Sequence, residues 1–326
     1  MAEGSYYSKD AADHAVCFIE KYCCHTKGRW DGKPFILIDW QEQIIRDIFG
    51  TLKENGYRQF NTAYIEIPKK QGKSELAAAV ALYLLCMDFE PSAEVYGCAA
   101  DRNQAKIVFN VAAAMVKKSP KLRNLIKVKD STKEMEVLRD GSRYQALSAD
   151  VANKHGLNTH GVIFDELHTQ PNRKLYDVMT KGSGDARMQP LYFLITTAGD
   201  NTNSICYEIH QKAKDIIEGR KIDPTFYPVI YGADPEDDWT DPKVWMKANP
   251  SLGITVDMEK VMTACEEAKL NPLDENTFRQ LRLDQWVKQT IRWMPMDKWD
   301  ECAFPVDEED LEGRVCYGGL DLSSKA

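Results

Sequence analysis

Two short stretches carry side chains whose types and order suit phosphoryl chemistry. Ile67-Pro68-Lys69-Lys70-Gln71-Gly72-Lys73-Ser74 ends in the Gly-Lys-Ser of a Walker A loop. Gly72 lets the backbone turn so that successive N–H groups face phosphate oxygens. Lys73 can reach β- and γ-phosphates, and Ser74 offers a hydroxyl to Mg²⁺. Pro68, Lys69, Lys70, Gln71 and Glu75 complete the candidate ATP-binding stretch around them. Ile67 stands where the motif usually has its first glycine. Taken alone, Gly-Lys-Ser is equally a polar turn with Ser74 capping the helix that follows. The second stretch, Val162-Ile163-Phe164-Asp165-Glu166, is an apolar run closed by two acids, as in a Walker B strand. Asp165 suits the shell of a Mg²⁺ ion, and Glu166 suits polarisation of a water for in-line attack on a γ-phosphate. Its alternative is a strand followed by a capping Asp, and its presence downstream of Lys73 favours the nucleotide reading. Leu194-Ile195-Thr196-Thr197-Ala198-Gly199 ends a further strand with two hydroxyls. That position either borders a γ-phosphate or is a strand end with a glycine stop.

The elements that must hold these groups follow from periodicity. Residues 10–25 predict a helix, with Ala15, Phe18, Ile19 and Tyr22 at helical spacing, and Trp40 to Phe49 predicts another. Short apolar runs at Thr62–Ile67, Ala93–Ala99, Gly161–Phe164 and Leu191–Thr196 read as strands. Helices are expected over about 73–87 and 101–118, and a hairpin over 135–148 through Asp140-Gly141. Short apolar strands alternating with helices predict an α/β fold with a mostly parallel sheet covered on both faces. Residues 205–290 read as mostly helical, broken by a loop from Asp234 to Pro242.

Composition narrows the class. The 326 residues are 43% hydrophobic and 28% charged, which excludes disordered, collagen-like and fibrous chains. Met1 to Asp10 has no apolar signal-peptide core, and the apolar run Leu76–Met87 is too short to span a bilayer. Nine cysteines scattered from Cys17 to Cys316 suggest free thiols in a reducing compartment. The Cys17, Cys23, Cys24 and His25 group lacks C-x-x-C spacing and reads as core or surface thiols before a metal site. A net charge of −8 is not that of an obvious nucleic-acid binder. Within it, Lys117 to Arg143 holds nine Lys and Arg against four Asp and Glu. That run is either a surface for DNA backbone phosphates or a solvated helix end and hairpin.

With these motifs in this order the sequence resembles the large subunits of tailed-phage terminases, from about Phe18 to Asp321. Phe35-Ile36-Leu37-Ile38-Asp39-Trp40-Gln41 resembles the family's adenine-side motif, Ala99 to Ala105 its stretch after the second strand, and Thr196-Thr197-Ala198-Gly199 its coupling motif. Trp286, Trp293 and Trp299 recur where the family joins its two domains. The resemblance implies a P-loop NTPase of the additional-strand (ASCE) type, with another strand between the Walker A and Walker B strands. It divides the chain into an N-terminal helical segment (1–60), an ATPase core (61–204), a helical lid subdomain (205–292), a linker (293–314) and the first strand of an RNase-H-like nuclease domain (315–326).

The resemblance further implies ATP and Mg²⁺ as ligands, Gln41 as the adenine contact, and hydrolysis that drives double-stranded DNA into a procapsid. Lys69 stands where the family often has an arginine, and Lys154-His155-Gly156 where it has an Arg-Gly acting on a neighbouring subunit's ATP. Lys154 and Arg187 are the candidate trans-acting cations. Asp321 would be the first metal-binding carboxylate of a nuclease site using Mg²⁺ or Mn²⁺. Two-metal cleavage needs further carboxylates, so no nuclease activity is expected of the chain ending at Ala326. Implied partners are non-specifically held DNA, a portal protein and a small terminase subunit, with oligomers on the portal, a monomer in isolation and no membrane. The implied location is the host cytoplasm and, transiently, the procapsid portal. A helicase-like ATPase and a non-catalytic P-loop module docking on portal or small subunit are the alternatives. Intact Lys73, Asp165 and Glu166 weigh against the second.

Overall fold

The computed structural model describes residues 4–148 and 156–287, with 301, 312, 313 and 315 beyond them. Met1–Lys288 forms one compact unit and Gln289–Ala326 a second. Most of the expected linker, together with Trp293, Trp299, Lys154 and Asp321, lies outside the described residues.

In chain order the elements are β1 (Tyr6–Tyr7), α1 (Lys9–Tyr22), α2 (Asp39–Gly50), β2 (Thr51–Leu52), β3 (Thr62–Glu66), α3 (Lys73–Cys86), β4 (Glu94–Ala99), α4 (Arg102–Lys118) and α5 (Pro120–Leu125). There follow β5 (Ile126–Lys129), β6 (Glu134–Val137), β7 (Arg143–Ser148), β8 (Gly161–Asp165), α6 (Lys174–Thr180), β9 (Leu191–Thr196) and α7 (Ile205–Ile217). The described unit ends with β10 (Phe226–Ile230), α8 (Pro242–Ala248), α9 (Met258–Lys269) and α10 (Pro272–Leu283).

Eight strands form one sheet in the order β10-β3-β9-β8-β4-β7-β6-β5. From β10 through β7 every pairing is parallel, and β6 and β5 close that edge antiparallel. Strand β9, which ends in Thr196, lies between β3, which leads into the Gly-Lys-Ser loop, and β8, which ends in Asp165. This is the additional-strand P-loop arrangement.

Successive residues of a strand point to opposite faces, and both faces here are buried. Ala63, Ile65, Val95, Ile163, Phe193 and Ile195 join α1, α2, α3 and α4 on one side. Tyr64, Tyr96, Val162, Phe164, Tyr192 and Leu194 face α6 and α7 on the other. Helix α3 is apolar all round, and Leu76 through Cys86 are buried throughout, as a helix with no polar face must be. A third core, with Trp245, Val261, Cys265, Phe278 and Leu283, holds α8, α9 and α10 together.

The helical reading of 205–290 misses β10, whose run Phe226-Tyr227-Pro228-Val229-Ile230 pairs in parallel with β3. Pro228 carries no N–H, and the strand tolerates it because it lies at the sheet edge. The 135–148 hairpin forms as β6 and β7, with Gly141 in the left-handed region (φ 73°).

Candidate nucleotide-binding site

Strand β3 delivers the loop 67–72, and α3 begins directly after it. Ile67 needs no glycine because the sheet continues through it: its N–H donates to the Thr196 carbonyl at 3.0 Å and its side chain is fully buried. The turn is made further on, where Lys70 (φ 72°) and Gly72 (φ 87°) both take left-handed backbone conformations. Gly72 is the residue that precedes the first turn of α3. Ser74 therefore lies inside the helix, and its Oγ donates to Asp165 Oδ2 at 2.8 Å instead of capping. The capping alternative is excluded, and residues 91 positions apart meet at the Mg²⁺-type ligand pair the motifs predict.

Lys73 is buried at 5% exposure. Its Nζ donates to the Ile67 and Pro68 carbonyls, both at 3.2 Å, and to Thr197 Oγ1, and it lies 3.6 Å from Glu166 Oε1. Five sequence candidates (Lys73, Ser74, Asp165, Glu166 and Thr197) thus converge at the carboxyl ends of β3, β9 and β8. Glu166 takes the left-handed conformation (φ 54°), a strained geometry for a non-glycine residue and one that clusters at functional sites.

The electrostatics are those of a site short of positive charge. Burial, reinforced by the neighbouring Glu166 carboxylate, pushes the Asp165 carboxyl up to about 6. Asp165 Oδ1 is buried without a hydrogen-bond partner. An orphaned carboxylate oxygen beside a serine hydroxyl is a hard-oxygen donor set of the kind Mg²⁺ takes, so these residues fit the metal that the motifs imply.

Two further residues at this site were not singled out from sequence. His168 donates its backbone N–H to Thr196 Oγ1 at 3.1 Å and lies 3.3 Å from Glu166 Oε2. Burial holds its imidazole below the ordinary histidine range; nearby Glu166 opposes this, and Lys73 and Lys69 add to it. Asp284, at the end of α10, accepts the Ala198 N–H at 2.7 Å. Burial, followed by the Glu66 charge, pushes its carboxyl well above the usual range. Its position directly after Leu283, the last residue of α10, carries no sequence signal, because only the fold brings it to Ala198.

Beside the loop opens a cavity of about 590 Å³ lined by Trp30, Phe35, Ile36, Ile38, Gln41, Lys70, Gln71 and Gly72, among others. Gln41 Oε1 accepts the Ile38 N–H at 3.3 Å, and its Nε2 lies 3.4 Å from where a Cβ on Gly72 would sit. Glu75, in the first turn of α3, accepts from His25 Nδ1 at 2.8 Å and from the Thr26 N–H at 3.1 Å, fastening the 23–36 loop to the cavity wall. Burial raises the Glu75 carboxyl, but these partners outweigh it and leave it below its ordinary value. His25 is thus committed to Glu75, and no group of three or more metal-ligating side chains is found among the described residues.

The other candidates are placed differently. Lys69 donates its backbone N–H to the Leu281 carbonyl at 2.9 Å. The Arg187 guanidinium pairs with Glu90 at 2.8 Å and donates to the Ser92 and Asn158 carbonyls, so it is tied into its own subunit's surface and is a poor candidate for reaching a neighbour. In the basic run, Lys117, Lys118, Lys129, Arg139 and Arg143 are paired with acids, so much of its charge is neutralised locally. No described helix is long and apolar enough to cross a membrane.

Comparison with known proteins agrees with this geometry. The family model for the terminase large subunit ATPase domain matches residues 39–215, and that for the terminase large subunit endonuclease domain matches 221–326. The second match includes β10 and α8–α10, which belong to the same compact unit as the sheet. The chain is 29% identical to the terminase large subunit of Enterobacteria phage HK97 over 96% of its own length and 60% of that protein's. It is 33% identical to protein YmfN of Escherichia coli K12 over 52% of this chain and 37% of that protein. The crystal structure of the HK97 large terminase superposes with a TM-score of 0.74 at 27% identity, covering 89% of this chain and 58% of that one. The chain thus spans less than two thirds of the length of these relatives. The ATPase-domain match covers more than half of the chain, and the chain belongs to the terminase large subunit family.

Proposed function

We propose that this chain binds ATP with Mg²⁺ and hydrolyses it, as the ATPase portion of a motor that moves double-stranded DNA into a procapsid. The observation that carries the reading is the convergence of Lys73, Ser74–Asp165 and Glu166 at the carboxyl edge of three adjacent strands, next to an aromatic cavity. The cavity suits adenine, with Trp30 and Phe35 offering apolar surface and Gln41 a donor and an acceptor. The loop N–H groups and the amino end of α3 suit the phosphates. Ser74 and Asp165 would hold Mg²⁺, which when bound neutralises phosphate charge. Lys73 would exchange its loop carbonyls and Thr197 for phosphate oxygens. Glu166, freed of Lys73, is placed to orient and deprotonate the attacking water, a role worth ~10²–10⁴-fold in rate. Thr196 and Thr197 border the γ-phosphate position, and Lys69 adds a charge at the loop. Lys154 remains the proposed cation offered to a neighbouring subunit.

DNA held by its backbone, a portal protein, a small terminase subunit and assembly on the portal in the host cytoplasm complete the proposal. They rest on family membership. A non-catalytic docking module would have no use for an intact Lys73–Glu166 pair. Steady-state ATP hydrolysis by the wild type and Glu166→Gln, with DNA present, separates the readings. Hydrolysis by the wild type and its loss in the variant, with nucleotide binding retained, is expected. Equal turnover by both proteins overturns the catalytic assignment.

A further inference from the structure

The carboxyl end of α10 holds both loops of the candidate site at once. Ala198, directly after Thr196-Thr197, donates its N–H to Asp284 Oδ1 at 2.7 Å, and its carbonyl accepts from Gln280 Nε2 at 3.0 Å. One peptide segment is therefore gripped on both of its polar groups by side chains four residues apart. Between them, the Leu281 carbonyl accepts the N–H of Lys69 in the phosphate loop at 2.9 Å. The Arg282 carbonyl accepts from Asn249 Nδ2 at 2.7 Å, and Asn249 Oδ1 accepts from Gln71 Nε2 at 2.8 Å. Past the helix, Trp286 lies against Gly199, where a Cβ would come within 3.0 Å of the indole.

A simple stitch between two subdomains would not need this geometry. Asp284 adopts a left-handed backbone conformation (φ 56°), which persists only where the surroundings over-determine it. Its second oxygen is buried with no partner. Both ties also run to the two loops whose neighbours touch Lys73: Thr197 bonds its Nζ, and the Ile67 and Pro68 carbonyls accept from it. When Lys73 changes partners, Thr197 and Pro68 are the groups released, and each lies one residue from an atom fixed to α10.

We infer that Asp284 and Gln280 are positioning residues that set the Ala198 peptide against the phosphate loop and pass the nucleotide state of the loops to the helical unit α8–α10. The inference rests on the ATP reading above, and the experiment reads the two separately. A fluorescent ATP analogue (mant-ATP) with Mg²⁺ measures binding to the full chain. Hydrogen exchange of segment 272–286, with and without ADP·Mg²⁺, measures transmission.

The wild type is expected to bind the analogue and to slow exchange in 272–286 by about tenfold or more, a stabilisation of local opening of the kind exchange detects. Asp284→Ala should keep the affinity within about threefold, lose the nucleotide-dependent protection and lower kcat about tenfold, as loss of one positioning hydrogen bond allows. Asp284→Asn retains an acceptor for the Ala198 N–H and should restore both readouts. Gln280→Ala, milder for folding, should show the same loss at smaller size. Binding by the wild type with no change of exchange in 272–286 overturns this inference alone, and no binding overturns the ATP reading with it. A folded Asp284→Asn as defective as Asp284→Ala overturns the assigned role of the acceptor.

Discussion

The same four elements end in two contrasting clusters of buried charge. At one end, β3, β8, β9 and the start of α3 meet around Lys73, Asp165 and Glu166. At the other, β3 follows Arg58, α3 leads to Asp88, β8 follows His160 and β9 follows Gln189. Here every principal charge has a partner. Arg58 donates to both Asp88 oxygens, at 2.9 and 3.0 Å, His160 Nε2 donates at 2.7 Å, and Gln189 bonds the Asp88 carbonyl at 2.9 Å. Burial acts to raise the Asp88 carboxyl, yet Arg58 and His160 outweigh it and hold it below the ordinary range. Asp165 is buried as deeply, with 6% exposure against 4%, but its neighbour is another acid and it ends near 6. Burial alone thus does not tell a structural carboxylate from a functional one; what surrounds it does. At the pinned end the carboxylate oxygens are both paired and what is left over are donors, Arg58 Nε and His160 Nδ1; at the site end the atoms left over are carboxylate oxygens, Asp165 Oδ1 and Glu166 Oε2, which suit a cationic ligand.

The largest expected effects separate the two ends by kind. Glu166→Gln should lower kcat by ~10³-fold while leaving the unfolding midpoint in denaturant unchanged or higher. Arg58→Ala should do the reverse. It strands a buried carboxylate, costing about 3–5 kcal/mol in denaturant unfolding, while KM for ATP in the folded protein stays as it was. A comparable loss of activity at constant stability in Arg58→Ala would dissolve the contrast.

The site end was readable in the sequence and the pinned end was not. Gly-Lys-Ser, Asp165-Glu166 and Thr196-Thr197 lie on local strand–turn signals whose chemistry is fixed by a few adjacent residues, and the sheet order comes with the family resemblance those motifs carry. Arg58, Asp88, His160 and Gln189 are single polar residues at element ends, far apart in sequence, and acquire meaning only when the strands align. Asp284 and Asn249 escape for the same reason. The strand β10 was hidden by Pro228, whose local propensity argues against a strand while the sheet edge permits one. Arg187 runs in the other direction: from sequence a loop arginine looks available, and the fold surrounds it with Glu90 and three carbonyls.

The finer test compares two identical changes. In the metal-free protein at neutral pH, Asp88→Asn removes a charge that Arg58 needs and should destabilise by about 3 kcal/mol, within the range for breaking a buried pair. Asp165→Asn removes a charge that burial and Glu166 oppose, and should stabilise by about 1–3 kcal/mol. Opposite signs from the same substitution at equal burial are the signature of the two environments, and equal signs would remove the distinction.

The pH dependence sharpens it further. A carboxyl raised to about 6 in the folded state binds its proton more tightly there than in the unfolded chain. Its destabilising effect is therefore complete above that pH and absent below about 4, the unfolded value. The gain from Asp165→Asn should accordingly shrink towards zero as pH falls from about 6 to about 4 in urea titrations. Asp88 is depressed, so its contribution is full above the unfolded value and is lost only as pH falls through its lower folded value. The cost of Asp88→Asn should therefore hold steady across the same interval and decline only below it. Parallel curves for the two variants between pH 4 and 6 would mean that the carboxylates share one environment after all.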